Sequence, residues 1–232
     1  PCSRRASSCP RGARVVRMSH DFTVTDSQLL VDAPILALRR DRLAMPGGRE
    51  ADREIVEHFG AVAVVALDAG GRVAMVEQYR HSVGRRLLEL PAGLLDVHAE
   101  PELDTAKREL HEEAGLEADA WAVLVDLVTS PGFAEEAVRV FIARDLEEVE
   151  RPEAENEEAD MTLRWVDLTD AADMVLSGRI VNSIAVAGIL AGCRVEAGQA
   201  SPRDVAEPFE FRPTSLAERR AAAGIVPDMK RI

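Results

Sequence analysis

Apolar and polar positions alternate in short runs between residues 22 and 59: FTVTDSQLLV, ILALRRDRLAM, a turn at Pro46-Gly47-Gly48, then DREIVEHF. Ile35 with Ala37, and Leu43 with Met45, flank a charged middle, which predicts partly exposed antiparallel strands. Such a sheet buries little by itself and needs the main domain or another subunit to pack on. From 60 to 68 the pattern becomes a near-continuous apolar run, followed by Ala69-Gly70-Gly71 and RVAMVEQYR. This predicts a hairpin with a central strand buried on both faces. Residues 87–93, LLELPAG, read as a short strand ended by Pro91. WAVLVDLVTS and AVRVFIARD are two further strands, residues 146–160 an acidic Pro-containing loop, and TLRWVDL one more strand. AADMVLSGRI and NSIAVAGILAGCRVE have helical spacing, the second apolar enough to cover a sheet. After Gly198 the chain is polar and Pro-containing, and low order is expected.

The stretch 93–116, GLLDVHAEPELDTAKRELHEEAGL, changes character again. Asp104 is a suitable helix start and Gly115 a left-handed stop, predicting a helix of about 10 residues. Spacings of three and four put Glu109, Glu112 and Glu113 on one face, while Leu103, Ala106, Leu110 and Ala114 form an apolar stripe roughly at a right angle to it. Strands flanking this helix, with an apolar helix on the other side, give an α/β chain: an α/β/α sandwich on a mixed sheet, with a small N-terminal antiparallel β subdomain. The expected division is a disordered leader at 1–17, the β subdomain at 18–59, the main domain at 60–215 and a flexible tail at 216–232.

Composition narrows the classes. With 232 residues, 47% apolar and 30% charged, the chain suits one sizeable domain with a smaller subdomain. A net charge of −13 argues against nucleic acid as a partner, and any anionic substrate needs a metal or local arginines to offset it. Residues 1–17 carry five arginines and no acid, lack the apolar run of a signal peptide, and read as a non-native extension before Met18. Cys2 and Cys9 lie in that leader and Cys193 in an apolar helical pattern, so no disulfide framework is expected. Nothing approaches a membrane span of about 20 apolar residues, and a cytoplasmic protein is the default expectation.

Like charges at helical spacing cost about 0.2–0.5 kcal/mol per pair, which a hard cation such as Mg²⁺ would reverse. A solvated acidic face is the other reading of Glu109, Glu112 and Glu113 by themselves. Arg80, at the end of a strand before the helix, has the planar fork suited to a phosphate, and a surface arginine is its alternative. His81, His98 and His111 lack partners at zinc-ligand spacing.

The whole stretch resembles the box of the Nudix hydrolases. Glu100, seven residues, then Arg108-Glu109-Leu110-His111-Glu112-Glu113-Ala114-Gly115-Leu116 match it in order, with one departure: six residues separate Gly93 from Glu100 where five are usual. Glu-His-Phe-Gly-Ala-Val (57–62), Gln-Tyr-Arg-His (78–81), Glu-Leu-Pro-Ala-Gly (89–93), Ser-Pro-Gly-Phe (130–133) and Glu-Glu-Ala-Asp (157–160) are similar to the ADP-ribose pyrophosphatase branch, most closely its actinobacterial form. The resemblance implies a Nudix-type sandwich and metal-dependent hydrolysis of ADP-ribose to AMP and ribose 5-phosphate. It implies Mg²⁺ or Mn²⁺, two or more ions per site, held by Glu109, Glu113 and the carbonyl of Ala92, with Glu112 beside them. Arg108 is expected to pair with a carboxylate such as Glu100. Glu158 matches the branch's loop glutamate that activates water, with Glu157 one residue away. Arg80, Arg53 and Glu89 match substrate positions, Phe133 is a candidate for the adenine or ribose pocket, and a homodimer through the N-terminal sheet is implied. Other nucleoside diphosphate sugars and a non-cleaving ADP-ribose sensor are the rival readings.

Overall fold

A computed structural model describes residues 22–152 and 160–229. The alternating N-terminal segment forms β1 (Thr23–Asp32), β2 (Leu36–Met45) and β3 (Arg49–His58), an antiparallel sheet in the order β1-β2-β3. Its turn at Pro46 uses two glycines at positive φ, 89° and 78°, as the dipeptide Gly47-Gly48 allows. Every residue of β1 is exposed, and the sheet meets the rest of the chain mainly through β2 and β3.

The uninterrupted apolar run becomes β4 (Ala61–Ala66), buried throughout. It sits second in the sheet β7-β4-β9-β8, antiparallel to β7 (Ala92–Leu94) and parallel to β9 (Ala137–Glu148), which pairs antiparallel with β8 (Leu116–Val128). A third sheet places β5 (Arg72–Arg80) between β6 (Arg85–Glu89) and β10 (Thr162–Asp167). The expected β4–β5 hairpin is therefore corrected. Its turn exists, with Asp68 accepting from the amides of Gly70 and Arg72 at 2.8 Å, but after one bridge at Leu67 and Val73 the strands enter different sheets. Both edges of β4 are taken by β7 and β9, which leaves no edge for β5. The strand expected over 87–93 is likewise split at Leu90-Pro91 into β6 and β7.

Strand alternation sorts the core into two layers. Ala63 and Val65 face α2 (Leu168–Leu176) and α3 (Ser183–Glu196), packing with Leu168, Ala171, Ala185 and Ile189. Val62, Val64 and Ala66 face α1 (Glu102–Ala114), packing with Ala106, Leu110 and Ala114, the apolar stripe read from the sequence. The chain is thus the α/β/α sandwich on a mixed sheet that the pattern predicted.

Three helix assignments shift, α2 starting at Leu168 and ending at Leu176 where the pattern gave AADMVLSGRI. α1 has 13 residues, because it starts behind Pro101 rather than at Asp104; the Pro101 carbonyl already accepts from the amides of Asp104 and Thr105 at 3.1 Å. Its end at Gly115 is as expected, with φ 64°. The polar stretch after Gly198, expected to be of low order, carries α4 (Ser215–Ala222), whose Leu216 joins Met229, Ala37 and Phe59 in a third buried cluster. Among the described residues no helix is long and apolar enough to cross a membrane.

Candidate active site

The acidic face of α1 and the backbone of β7 meet edge to edge. β7 pairs with β4 so that Val64 N donates to the Pro91 carbonyl and Leu95 N to the Gly60 carbonyl. Alternation then turns the N–H and C=O of Ala92 away from β4, toward α1. The Ala92 N–H donates to Glu113 Oε2 at 2.9 Å, and Glu113 is buried. Gly93 lies directly beneath Glu109: a β-carbon on Gly93 would stand 1.9 Å from the Glu109 carboxyl carbon. The first glycine of the box is needed there because a carboxylate occupies the space of its side chain.

Arg108 organises the remaining acids. Its Nη1 lies 2.8 Å from Glu109 and 2.9 Å from Glu112, and its Nη2 3.3 Å from Glu100, the pairing expected from the sequence. Burial would raise the Glu100 carboxyl, but hydrogen bonds from Arg108 and Thr105 outweigh it and hold Glu100 below the ordinary carboxylate range. Glu109 goes the other way. Burial raises its pKa, with repulsion from Glu112 and Asp96 adding to it, although Arg108 opposes the shift. Its negative charge is only partly compensated.

Among the described residues no three His, Cys, Asp or Glu side chains close around one cation-sized point; Arg108 sits between Glu100, Glu109 and Glu112 instead. The donors still fit a hard divalent ion. Glu109 is a half-buried carboxylate repelled by Glu112 and Asp96, Glu113 is already tied to the Ala92 amide, and the Ala92 carbonyl shares that strand edge.

On the third sheet, Arg80 Nη2 lies 2.7 Å from Glu89 Oε2, and Gln78 Nε2 donates to the same carboxylate at 3.3 Å. Glu89 is only 3% exposed, so it fixes the guanidinium at the strand end just ahead of β7. Arg53 is exposed on β3 and donates to the Asp52 carbonyl at 2.8 Å. Phe133, 57% exposed, tops a turn docked on the same strand, its carbonyl accepting from Val56 N at 2.7 Å. The structure therefore assembles Glu109, Glu112, Glu113 and Ala92 in one place and Arg80 with Glu89 in another, while Arg53 and Phe133 lie along β3. Glu157 and Glu158 lie outside the described residues. Sequence reasoning missed Arg151, whose Nε donates to the Glu112 carbonyl at 3.1 Å where β9 leaves α1, and Arg212, which reaches Glu102 at 2.9 Å. Neither lies in a motif; an arginine among the acids of 146–160 was the one available signal for Arg151.

Residues 57–183 match the NUDIX domain, and with the carboxylate helix and its glycine in place the chain belongs to the Nudix hydrolase family. It is 57% identical over 202 residues to the ADP-ribose pyrophosphatase of Mycobacterium tuberculosis, covering 87% of this chain and 98% of that protein. It is 36% identical over 173 residues to a methanol dehydrogenase activator of Bacillus methanolicus, covering 75% and 92%. A solved structure described as an ADP compounds hydrolase superposes with a TM-score of 0.66 at 18% identity, over 77% of this chain and 96% of that one, and supports the fold. The resemblance read from the sequence, to the family and to its ADP-ribose pyrophosphatase branch, is borne out.

Proposed function

We propose that this chain hydrolyses the diphosphate of ADP-ribose, giving AMP and ribose 5-phosphate. The observation that carries the reading is the intact acidic face of α1 set against the Ala92 edge, in a chain that matches an ADP-ribose pyrophosphatase over nearly its full length. In the reaction water adds to one phosphorus, the bridging P–O bond breaks with its electron pair leaving on the departing phosphate, and the water gives up a proton.

Each role belongs to a residue. Glu109, Glu113 and the Ala92 carbonyl would hold Mg²⁺ or Mn²⁺, two or more ions, with Glu112 on their waters. A bound divalent ion supplies positive charge to the diphosphate oxygens and lowers the pKa of water. Arg108 pairs with Glu109 and Glu112 and sets their positions relative to each other. Arg80 engages a phosphate, and Glu89 aims its fork. Glu158, or Glu157, takes the proton from water. Arg53, on β3, and Phe133, in the turn docked on β3 at Val56, contribute to the nucleoside end.

The N-terminal β subdomain, assigned to 18–59 and built on the sheet of β1, β2 and β3, serves a homodimer of two 60–215 hydrolase units. Val24, Leu29, Leu30 and Val31 leave β1 with an apolar exposed surface that a second copy would cover. We expect the enzyme in the cytoplasm, where a charged nucleotide is retained.

The test is product analysis with ADP-ribose and ADP-glucose, with Mg²⁺ and with chelator. Metal-dependent AMP release favouring ADP-ribose, abolished by Glu113→Gln and slowed about 10²-fold or more by Glu158→Gln, is expected. Preference for ADP-glucose would move the assignment to nucleotide-sugar hydrolysis. Tight ADP-ribose binding without turnover would replace the enzyme with a sensor.

A further inference from the structure

The spacer between Gly93 and Glu100 is one residue longer than usual, and the structure shows what holds it. Residues 97–100 form a tight turn in which Glu100 N donates to the Val97 carbonyl at 3.2 Å, with Ala99 left-handed at φ 62°. A residue with a β-carbon seldom adopts that conformation unless its surroundings hold it. Here the surroundings are the C-terminal segment. His98 N donates to the Pro227 carbonyl at 2.8 Å, Met229 N donates to the Asp96 carbonyl at 2.9 Å, and Val97 bridges Asp228 in antiparallel fashion. The loop is paired like a strand against residues far away in sequence.

Farther back in the same segment, Arg212 reaches the start of α1. Its Nη1 lies 2.9 Å from Glu102 Oε1, and Nη1 and Nη2 both point at the Glu100 carbonyl at 3.4 Å. A cation at a helix N-terminus opposes the helix dipole, and a half-buried ion pair loses to desolvation much of what it gains by attraction. Stability is thus a poor reason for Arg212 to be there; geometry is a better one. Glu100 accepts from Thr105 at 2.8 Å and pairs with Arg108, and Arg108 holds Glu109 and Glu112. A continuous polar chain runs from Arg212 through Glu100 and Arg108 to the carboxylates.

The segment is anchored at its other side on the N-terminal sheet. Arg219 pairs with the buried Glu57 and is 3.1 Å from Glu57 Oε2 through Nε, Arg220 pairs with Asp32, and Leu216 packs on Ala37 and Phe59. Gly60, where the first sheet hands over to β4, has Pro213 Cδ 2.9 Å from the place of a β-carbon.

We propose that residues 209–229 are a clasp that sets the longer box loop, and that Arg212 is a positioning residue for Glu109 and Glu112, acting through Glu100 and Arg108. The inference rests on the proposed metal-dependent hydrolysis and adds to it a C-terminal element outside the box. Its consequence is that Arg212 changes how well the acidic face binds a cation rather than how well substrate binds.

The experiment measures Mn²⁺ affinity without substrate, by electron paramagnetic resonance, on the full chain and its Arg212→Ala, Arg212→Lys and Glu102→Gln variants, alongside thermal melts and Mg²⁺-dependent kinetics. Arg212→Ala is expected to weaken Mn²⁺ binding and kcat roughly tenfold, as loss of groups behind metal ligands does, with KM within about twofold. Arg212→Lys is expected to recover part of both. Glu102→Gln cuts the same link from the helix side and is expected to weaken Mn²⁺ binding in the same direction, which keeps the test alive if Arg212→Ala folds poorly. Wild-type Mn²⁺ affinity in Arg212→Ala and in Glu102→Gln, whatever their melting temperatures, would overturn the proposal, as would a wild-type chain that binds no Mn²⁺. A wild type that binds Mn²⁺ but leaves ADP-ribose intact would sink the assigned reaction alone, since the affinity comparison uses no substrate.

Discussion

Gly93 shows how one missing side chain can serve chemistry without serving stability. The atoms a β-carbon would meet there are the carboxyl carbon, Oε1 and Cγ of Glu109, at 1.9, 2.0 and 2.3 Å. They are the movable end of a flexible side chain, so Gly93→Ala is accommodated by swinging Glu109 away. The expected outcome is a melting temperature within a few degrees of wild type with hydrolysis down by about 10²-fold or more, since a misplacement of about 1 Å is enough for that. Circular dichroism melts and AMP release measure the two. A variant that keeps wild-type turnover would show that Glu109 works from another position. Glu113 presents the opposite case, being pinned by a backbone amide. Glu109 was legible in the sequence as part of an acidic face. That it lies over Gly93 was not, because the two are sixteen positions apart and only the turn of the chain between β7 and α1 superposes them.

At the scale of elements, α3 lies on the sheet closely enough that Gly188 is structural. A β-carbon on Gly188 would come within 2.7 Å of Leu90 Cδ1, 3.1 Å of Val65 Cγ2 and 3.3 Å of Val140 Cγ1. Leu90 can yield, but Val65 and Val140 are β-branched and stiff at χ1. Gly188→Ala gains helix propensity and loses more by overpacking, so a net destabilisation of about 1–3 kcal/mol is expected in urea unfolding. A gain in stability would mean that α3 is free to ride outward. Sequence pattern identified α3 as the apolar helix over the sheet, and Asn182 caps it by accepting from the amides of Ile184 and Ala185 at 3.0 Å. The pairing of β4 was misread for a definable reason. A strand buried on both faces carries no alternation, and its sequence is silent about which neighbours take its two edges.

Across the whole molecule, the junction between the N-terminal sheet and the hydrolase domain carries a titrating group. His58, at the end of β3, accepts from Gly60 N through Nδ1 at 3.1 Å and lies 3.9 Å from Glu136. Burial lowers its pKa below the ordinary histidine value, although Glu136 opposes the shift. A histidine whose folded pKa is depressed contributes stability above its unfolded pKa, about 6.5, that is lost as pH falls through the folded value. The wild type is therefore expected to lose more melting temperature between pH 7.5 and pH 5.5 than His58→Asn does; parallel curves would show that His58 is solvated at the junction. The sequence by itself determined the family, the sandwich, the acidic helix with its glycine stop and the identities of the candidate ligands, because these depend on local period and on residues close together in the chain. Tertiary structure alone decided that Arg108 gathers three glutamates, that β4 and β5 part into separate sheets, and that a polar tail returns to pair with the box loop. Those outcomes join residues that no local pattern relates, and they follow from which strand edges, buried charges and backbone groups were left to be satisfied once the core had formed.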